Sequence, residues 1–214
     1  MTNTDWSEWH DAYARPGSGL VDRLDAVRAE INRRLDQTAP DPVRVISVCA
    51  GDGRDLLGAL DERSDAGRVS ALLVEFDAAL ATRACAAAHA LDARVEVRQA
   101  DAAESSVYTD AVPADLVLLC GIFGNISDDD VRATIEAAPQ LCAPGAEVIW
   151  TRHRGDPNLT PSIREWFAAA GFDEVAFVAP QTVEWFDKWS VGVHRLATEP
   201  QPLKSGGHWF TFLR

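Results

Sequence analysis

From residue 43 onward, short β-branched apolar runs alternate with helix-length segments, and that alternation leaves very few folds open. VRVISVC is followed by RDLLGALDER, RVSALLVEFD by AALATRACAAAHALD, and ADLVLLCG by SDDDVRATIEAAPQL. RVEVRQAD supplies another strand before a short link, and AEVIWTR follows the turn CAPG. TPSIREWFAAAG then carries Thr160 as N-cap, Pro161 in its first turn and Gly171 as stop. Parallel strands need a crossover between them, and these helices provide it, so the order predicts a parallel sheet covered on both faces. Two late runs, FDEVAFVA and HWFTFLR, have no helix between them, and an irregular stretch at 181–207 separates them as an insertion. The expected class is α/β: seven strands, mostly parallel, with helices on both faces and an antiparallel strand at the C-terminus.

Ahead of the sheet, Leu20, Leu24, Val27, Ile31 and Leu35 repeat at helical spacing, with Ser18 as a cap. Residues 1–40 read as an N-terminal helical arm or lid, and its first part carries Trp6, Trp9 and Tyr13. A chain of 214 residues, 47% of them hydrophobic, has enough apolar material for one domain spanning 1–214.

Charge and cysteine usage exclude several function classes. With 20 basic against 33 acidic residues the chain carries −13, spread along its length, and such a surface repels phosphate backbones. Nucleic acid is not an expected partner. The start MTNTDWSEWHDAY lacks the basic and apolar regions of a signal peptide, and the longest apolar run, LVLLCGIFG, is too short to span a bilayer. Cys49, Cys85, Cys120 and Cys142 form no closely spaced pair, so buried thiols in a reducing cytoplasm are expected and a metal site is not.

The turn after the first strand, Cys49-Ala50-Gly51-Asp52-Gly53-Arg54-Asp55, decides what the sheet holds. Ligands of open parallel sheets sit beyond the carboxyl ends of the strands, where Gly51 and Gly53 lie. A dinucleotide fingerprint needs a third glycine three residues after the second, where this chain has Leu56. Asp52 and Asp55 also crowd a place where a diphosphate requires positive surroundings, so a nicotinamide cofactor is disfavoured. Carboxylates there suit a ligand without phosphates that carries an amino group and a sulfonium.

On these residues the chain resembles the class I S-adenosylmethionine-dependent methyltransferases, which have a Rossmann-like sheet. The first motif of that family is an acidic residue followed by three alternating glycines. Aligned on it, Cys49 replaces the acid, Gly51 and Gly53 match, and Asp55 replaces the third glycine. The resemblance covers most of 43–154, the expected cofactor-binding core. It implies that Asp52 or Asp55 holds the methionine ammonium and that Glu75 takes the ribose hydroxyls, with Asp77 as its neighbouring competitor. It further implies that Asp101 and the amide of Ala102 meet the adenine, and that Phe76, Cys120, Gly121 and Phe123 line the cofactor.

Methyl transfer from a sulfonium is an in-line displacement, so alignment and removal of water dominate, and a base helps only when the acceptor carries a proton. His153 in WTRHRGDPN is the leading base candidate, flanked by Arg152 and Arg154 as ligands for an anionic acceptor. His194 and His10 compete with it, and Asn125 is a candidate hydrogen-bonding group for the acceptor. Trp185, Phe186 and Trp189, together with the aromatic arm, are candidate pocket walls. The implied partner is a small-molecule acceptor without nucleic acid or membrane, and a homodimer is left open.

Overall fold

The computed structural model describes residues 19–181 and 188–213. Its elements are α1 (Gly19–Thr38), β1 (Val43–Val48), α2 (Leu56–Asp61), β2 (Val69–Glu75), α3 (Ala78–Ala88), β3 (Arg94–Gln99), β4 (Ala114–Leu119), α4 (Asp128–Ala137), β5 (Cys142–His153), α5 (Thr160–Ala169), β6 (Phe172–Val178) and β7 (Trp189–Leu196). They form one seven-stranded sheet in the order β3-β2-β1-β4-β5-β7-β6, parallel except for β7, which runs antiparallel to both β5 and β6. The strand order reverses between β1 and β4, so the carboxyl ends of these two strands flank the switch point.

Alternation along each strand sorts side chains onto two faces. Val45, Leu73, Leu116 and Ile149 pack against Val27, Ile31 and Leu35 of α1 and Leu56 and Leu60 of α2. Ile46, Val74, Val117, Val148 and Trp150 pack on the other face against Val131 and Ile135 of α4 and Ile163 and Phe167 of α5. Trp150 is fully buried, stacked on Phe167 at 6.1 Å. Its indole fits only because residue 192 is glycine: a Cβ there would meet the ring at 2.2 Å.

Three sequence expectations are corrected. The last strand is Trp189–Leu196, inside the stretch read as an insertion, while residues around HWFTFLR make only the isolated bridges Glu104↔His208 and Ile126↔Phe212. The β-branched pairing positions of WSVGVHRL were hidden by its interrupting Trp, Gly, His and Arg. CAPG is not a separate turn but the irregular beginning of β5, where the register with β4 shifts between Ala114 and Leu116. Thr160 is the first residue of α5 rather than its cap; Asn158 Oδ1 accepts from the Thr160 amide and hydroxyl instead. Ser18, His10, Trp6, Trp9, Tyr13, Trp185 and Phe186 lie outside the described residues.

The crossovers are also incomplete. Between β3 and β4 the chain makes only the short turn Ser105–Tyr108, so among the described residues this crossover supplies no full helix to cover that face. An open groove of about 440 Å³ remains there, lined in part by Arg44, Leu72, Arg94, Glu96 and Arg98.

Helix α1 is held to the sheet by a buried carboxylate. Glu147 of β5 is fully buried and accepts from Arg33 Nη2 at 2.5 Å and Arg195 Nη2 at 2.7 Å, with Arg34 Nη1 at 3.7 Å. Burial alone would raise its pKa, but the hydrogen bonds from Arg33 and Arg195 outweigh burial and hold it below the usual glutamate value of 4.5. A depressed carboxylate contributes stability that is present above the unfolded pKa and is lost as pH falls through the folded one. Glu147→Gln is expected to lower unfolding free energy by about 3 kcal/mol near neutral pH. Denaturant titrations should show this difference shrinking below about pH 4.5.

Candidate functional site

The glycine turn leaves β1 through three alternating left-handed residues: Cys49 at φ 53°, Gly51 at 60° and Gly53 at 73°. This pattern corrects the motif alignment by two residues. Cys49 occupies the place of the first glycine, Gly51 and Gly53 are the second and third, and the leading acidic position falls on Ser47, which is buried in the strand. Left-handed backbone costs a residue with a Cβ about 1–2 kcal/mol, which is why sequence reading did not assign Cys49 to a glycine position. At Gly53 the constraint is steric as well, because a Cβ would lie 2.7 Å from Leu57 and 2.8 Å from Leu73.

Glu75 ends β2 beside this turn. It is 7% exposed, and its two oxygens accept from the Gly51 amide at 2.7 Å and the Asp77 amide at 2.8 Å. Burial raises its pKa, with those two amides acting in the opposite direction. Each oxygen keeps a lone pair for further donors, so the carboxylate can serve a vicinal diol. Asp77 does not compete for that role, since its side chain caps α3 by accepting from the Ala79 and Leu80 amides at 2.9 Å. Phe76 follows directly after β2 and is 74% exposed, a large apolar side chain left open. Asp101, beyond β3, is exposed and accepts from the Ala103 amide at 2.9 Å, while Ala102 is buried with its carbonyl bound by the Tyr108 hydroxyl at 2.7 Å.

The two acids of the turn differ. Asp52 is paired with Arg54, whose Nε donates at 2.8 Å. Asp55 caps α2 by accepting from the Leu56 amide at 2.7 Å, and burial raises its pKa. As the cap of the helix that follows β1, Asp55 stands beside the switch point between β1 and β4. Burial drives the thiols of Cys49 and Cys120 well above the usual range, so neither is a thiolate nucleophile near neutral pH.

On the β4 side, Gly121 has a φ of 83°, open space where a Cβ would stand, and an amide donating to Thr151 Oγ1 at 2.8 Å. Thr151, buried in β5, was missed by sequence reading because nothing local marks a strand threonine as a loop anchor. Phe123 does not line the crevice: it is fully buried, 6.1 Å from the ring of Trp150. Asn125 follows, its amide donating to the Gly121 carbonyl at 2.7 Å.

The basic candidates are corrected in the same way. Arg152 is half-buried and donates to the Phe123 carbonyl, while Arg154 Nη2 donates to the Pro180 carbonyl at 2.7 Å and Nε to that of Trp189 at 3.2 Å. Both guanidiniums stitch loops to strands. His194 is 1% exposed in β7, accepts from Trp150 Nε1 at 3.1 Å and stacks on Phe167 at 4.4 Å. It is a core residue and cannot reach an acceptor. His153 ends β5 at the carboxyl edge, where its Nδ1 accepts from the Gly155 amide at 2.9 Å. A neutral ring in this arrangement carries its proton on Nε2.

The carboxyl ends of the strands thus bring together a left-handed turn, a buried carboxylate with lone pairs to spare, an exposed aromatic residue and two further acids. A family model described as "Putative methyltransferase" matches residues 20–166. The chain belongs to this methyltransferase family. No curated protein matches the methyltransferase in sequence. Its fold is shared with magnesium protoporphyrin IX methyltransferase from Synechocystis PCC 6803 with bound SAM (TM-score 0.71, 12% identity, covering 90% of this chain and 91% of that one). It is also shared with the N-methyltransferase NodS from Bradyrhizobium japonicum WM9 in complex with S-adenosyl-L-homocysteine (0.68, 12%, 92% and 100%). A third likeness is 1,6-didemethyltoxoflavin-N1-methyltransferase from Burkholderia thailandensis (0.67, 15%, 91% and 85%).

Two outcomes are expected for the methyltransferase. Gly53→Ala should cost about 2 kcal/mol from backbone strain and overpacking, while Cys49→Gly leaves thermal stability within about 1 kcal/mol; equal effects would contradict the assigned turn. Burial holds the His194 imidazole down to about 4 from an ordinary 6.5, with Glu174 opposing. Its stability contribution is therefore present above about pH 6.5 and lost as pH falls toward 4. In stability measured against pH, His194→Gln should flatten that segment of the curve.

Proposed function

We propose that this methyltransferase transfers a methyl group from S-adenosylmethionine to an oxygen or nitrogen of a small organic acceptor. The observation that carries the reading is Glu75, a buried strand-end carboxylate held by the Gly51 and Asp77 amides beside the exposed ring of Phe76. Glu75 would hold the ribose hydroxyls, Phe76 would cover the adenine, and Asp101 with the Ala102 amide would take the base edge. The Gly51 and Gly53 backbone would admit the methionine portion, with Asp55 at the switch point opposite its ammonium. When bound, the sulfonium supplies a methyl group already activated for displacement. Acids in place of a phosphate clamp support this donor over a dinucleotide.

Our reading of the acceptor side is that the chain aligns and dries the nucleophile rather than deprotonating it. Asn125, tied to the Gly121 carbonyl, and His153, fixed by the Gly155 amide at Nδ1, would orient the acceptor. The three neighbouring structures are of methyltransferases whose names give porphyrin, toxoflavin and nitrogen chemistry, which supports a small acceptor. All four cysteines are free, which supports a reducing, cytoplasmic setting.

Calorimetry tests the donor directly. S-adenosylhomocysteine should bind and NAD should not, and Glu75→Gln should weaken the adenosyl ligand by about 1–3 kcal/mol. NAD binding, or unchanged affinity in the variant, would remove the assignment. For the acceptor side, His153→Ala should keep kcat within about tenfold of wild type once an acceptor is found. A loss of about 10²–10⁴-fold would make His153 the base after all.

A further inference from the structure

Where the fold lacks a helix between β3 and β4, the C-terminal tail takes over. After β7 the chain passes the end of α4, with the Lys204 amide donating to Gln140 Oε1 at 2.9 Å. It then locks onto the loop after β3. Ser105, fully buried, donates its hydroxyl to the Lys204 carbonyl at 2.7 Å and accepts from the Gly207 amide at 2.9 Å, while its own amide donates to the Gly207 carbonyl at 2.8 Å. The Trp209 amide donates to the Ala103 carbonyl at 3.0 Å, and its indole stacks on Tyr108 at 5.5 Å with 11° between planes. Tyr108 in turn holds the Ala102 carbonyl, and His208 Nε2 stands 3.8 Å from Asp101 Oδ2.

Asp101 and Ala102 therefore owe their placement to the tail. Asp101 is exposed, and its own loop gives it a single side-chain hydrogen bond, to the Ala103 amide. The carbonyls on either side of that amide, Ala102 and Ala103, are both held by groups that depend on residues 204–209. Farther on, the Leu213 amide donates to the Asn125 carbonyl at 2.9 Å and the Thr211 amide to Asp130 Oδ2 at 3.2 Å. One segment thus joins the loop after β3 to the loop after β4.

We propose that residues 204–213 belong to the donor site and set its discrimination for the 6-amino group of adenine, Ser105 and Trp209 being the positioning residues that hold Asp101 and Ala102 to the base edge. This rests on the methyl-donor reading above. A carboxylate held in place accepts from the adenine amino group but faces the carbonyl oxygen of hypoxanthine unfavourably, so rigidity of the loop appears as base selectivity.

The experiment compares S-adenosylhomocysteine with S-inosylhomocysteine by calorimetry on the wild type, Ser105→Ala and Trp209→Ala, with thermal unfolding as a check on folding. Wild type should prefer the adenosyl ligand by about tenfold or more. Both variants should lose most of that ratio, through weaker binding of the adenosyl ligand alone. Ser105→Ala removes one oxygen and keeps the packing volume, so it decides the matter if Trp209→Ala unfolds. An unchanged ratio in a folded variant, or an equal loss for both ligands, overturns the proposal while leaving the donor assignment standing. Wild type that binds neither ligand overturns the donor assignment, and this proposal with it.

Discussion

The hydrogen bonds of one carboxylate, Glu75, set the geometry on which the rest of the site depends. By accepting from Gly51 on the turn after β1 and from Asp77 at the start of α3, it ties two neighbouring crossovers to the end of β2. Without that bridge, a turn of three left-handed residues would have little reason to keep its shape. The cost is a buried acid, and the two backbone donors offset it while leaving a lone pair on each oxygen. A carboxylate held in this way discriminates by charge: it suits hydroxyl and ammonium donors and opposes phosphates.

The scaffold around the crevice is asymmetric. On one face, α1 is pinned by Arg33 to Glu147 of β5, and Glu147 is bound again by Arg195 of β7, so the antiparallel end of the sheet and the N-terminal helix share one ionic centre. On the other face, a missing crossover helix is replaced by the tail, whose aromatic and backbone contacts reach the loops after both β3 and β4. The loops after β3 and β4 are in this way built into one network, although they leave different strands.

Much of this was legible in the chain itself. The strand–helix alternation reports the sheet because burial on both faces demands continuous apolar runs. That Glu75 ends a strand and that Gly51 and Gly53 follow one could be read from where the apolar runs stop. The register of the turn could not, because the first left-handed residue is Cys49, and side-chain identity does not advertise a positive φ. β7 was hidden because His194 and Gly192 look polar or flexible in isolation; they are there to fit the Trp150–Phe167 stack. Phe123, Arg152 and Arg154 sat at suitable positions in sequence but are spent on packing or on backbone carbonyls, a distinction that only the packed chain reveals.

A crystal structure of the chain soaked with S-adenosylhomocysteine tests the central claim most directly. The ligand should lie across the ends of β1 and β4 with both ribose hydroxyls within hydrogen-bond distance of the Glu75 carboxylate and the adenine against the ring of Phe76. Density for the ligand elsewhere, or a ribose turned away from Glu75, would contradict it.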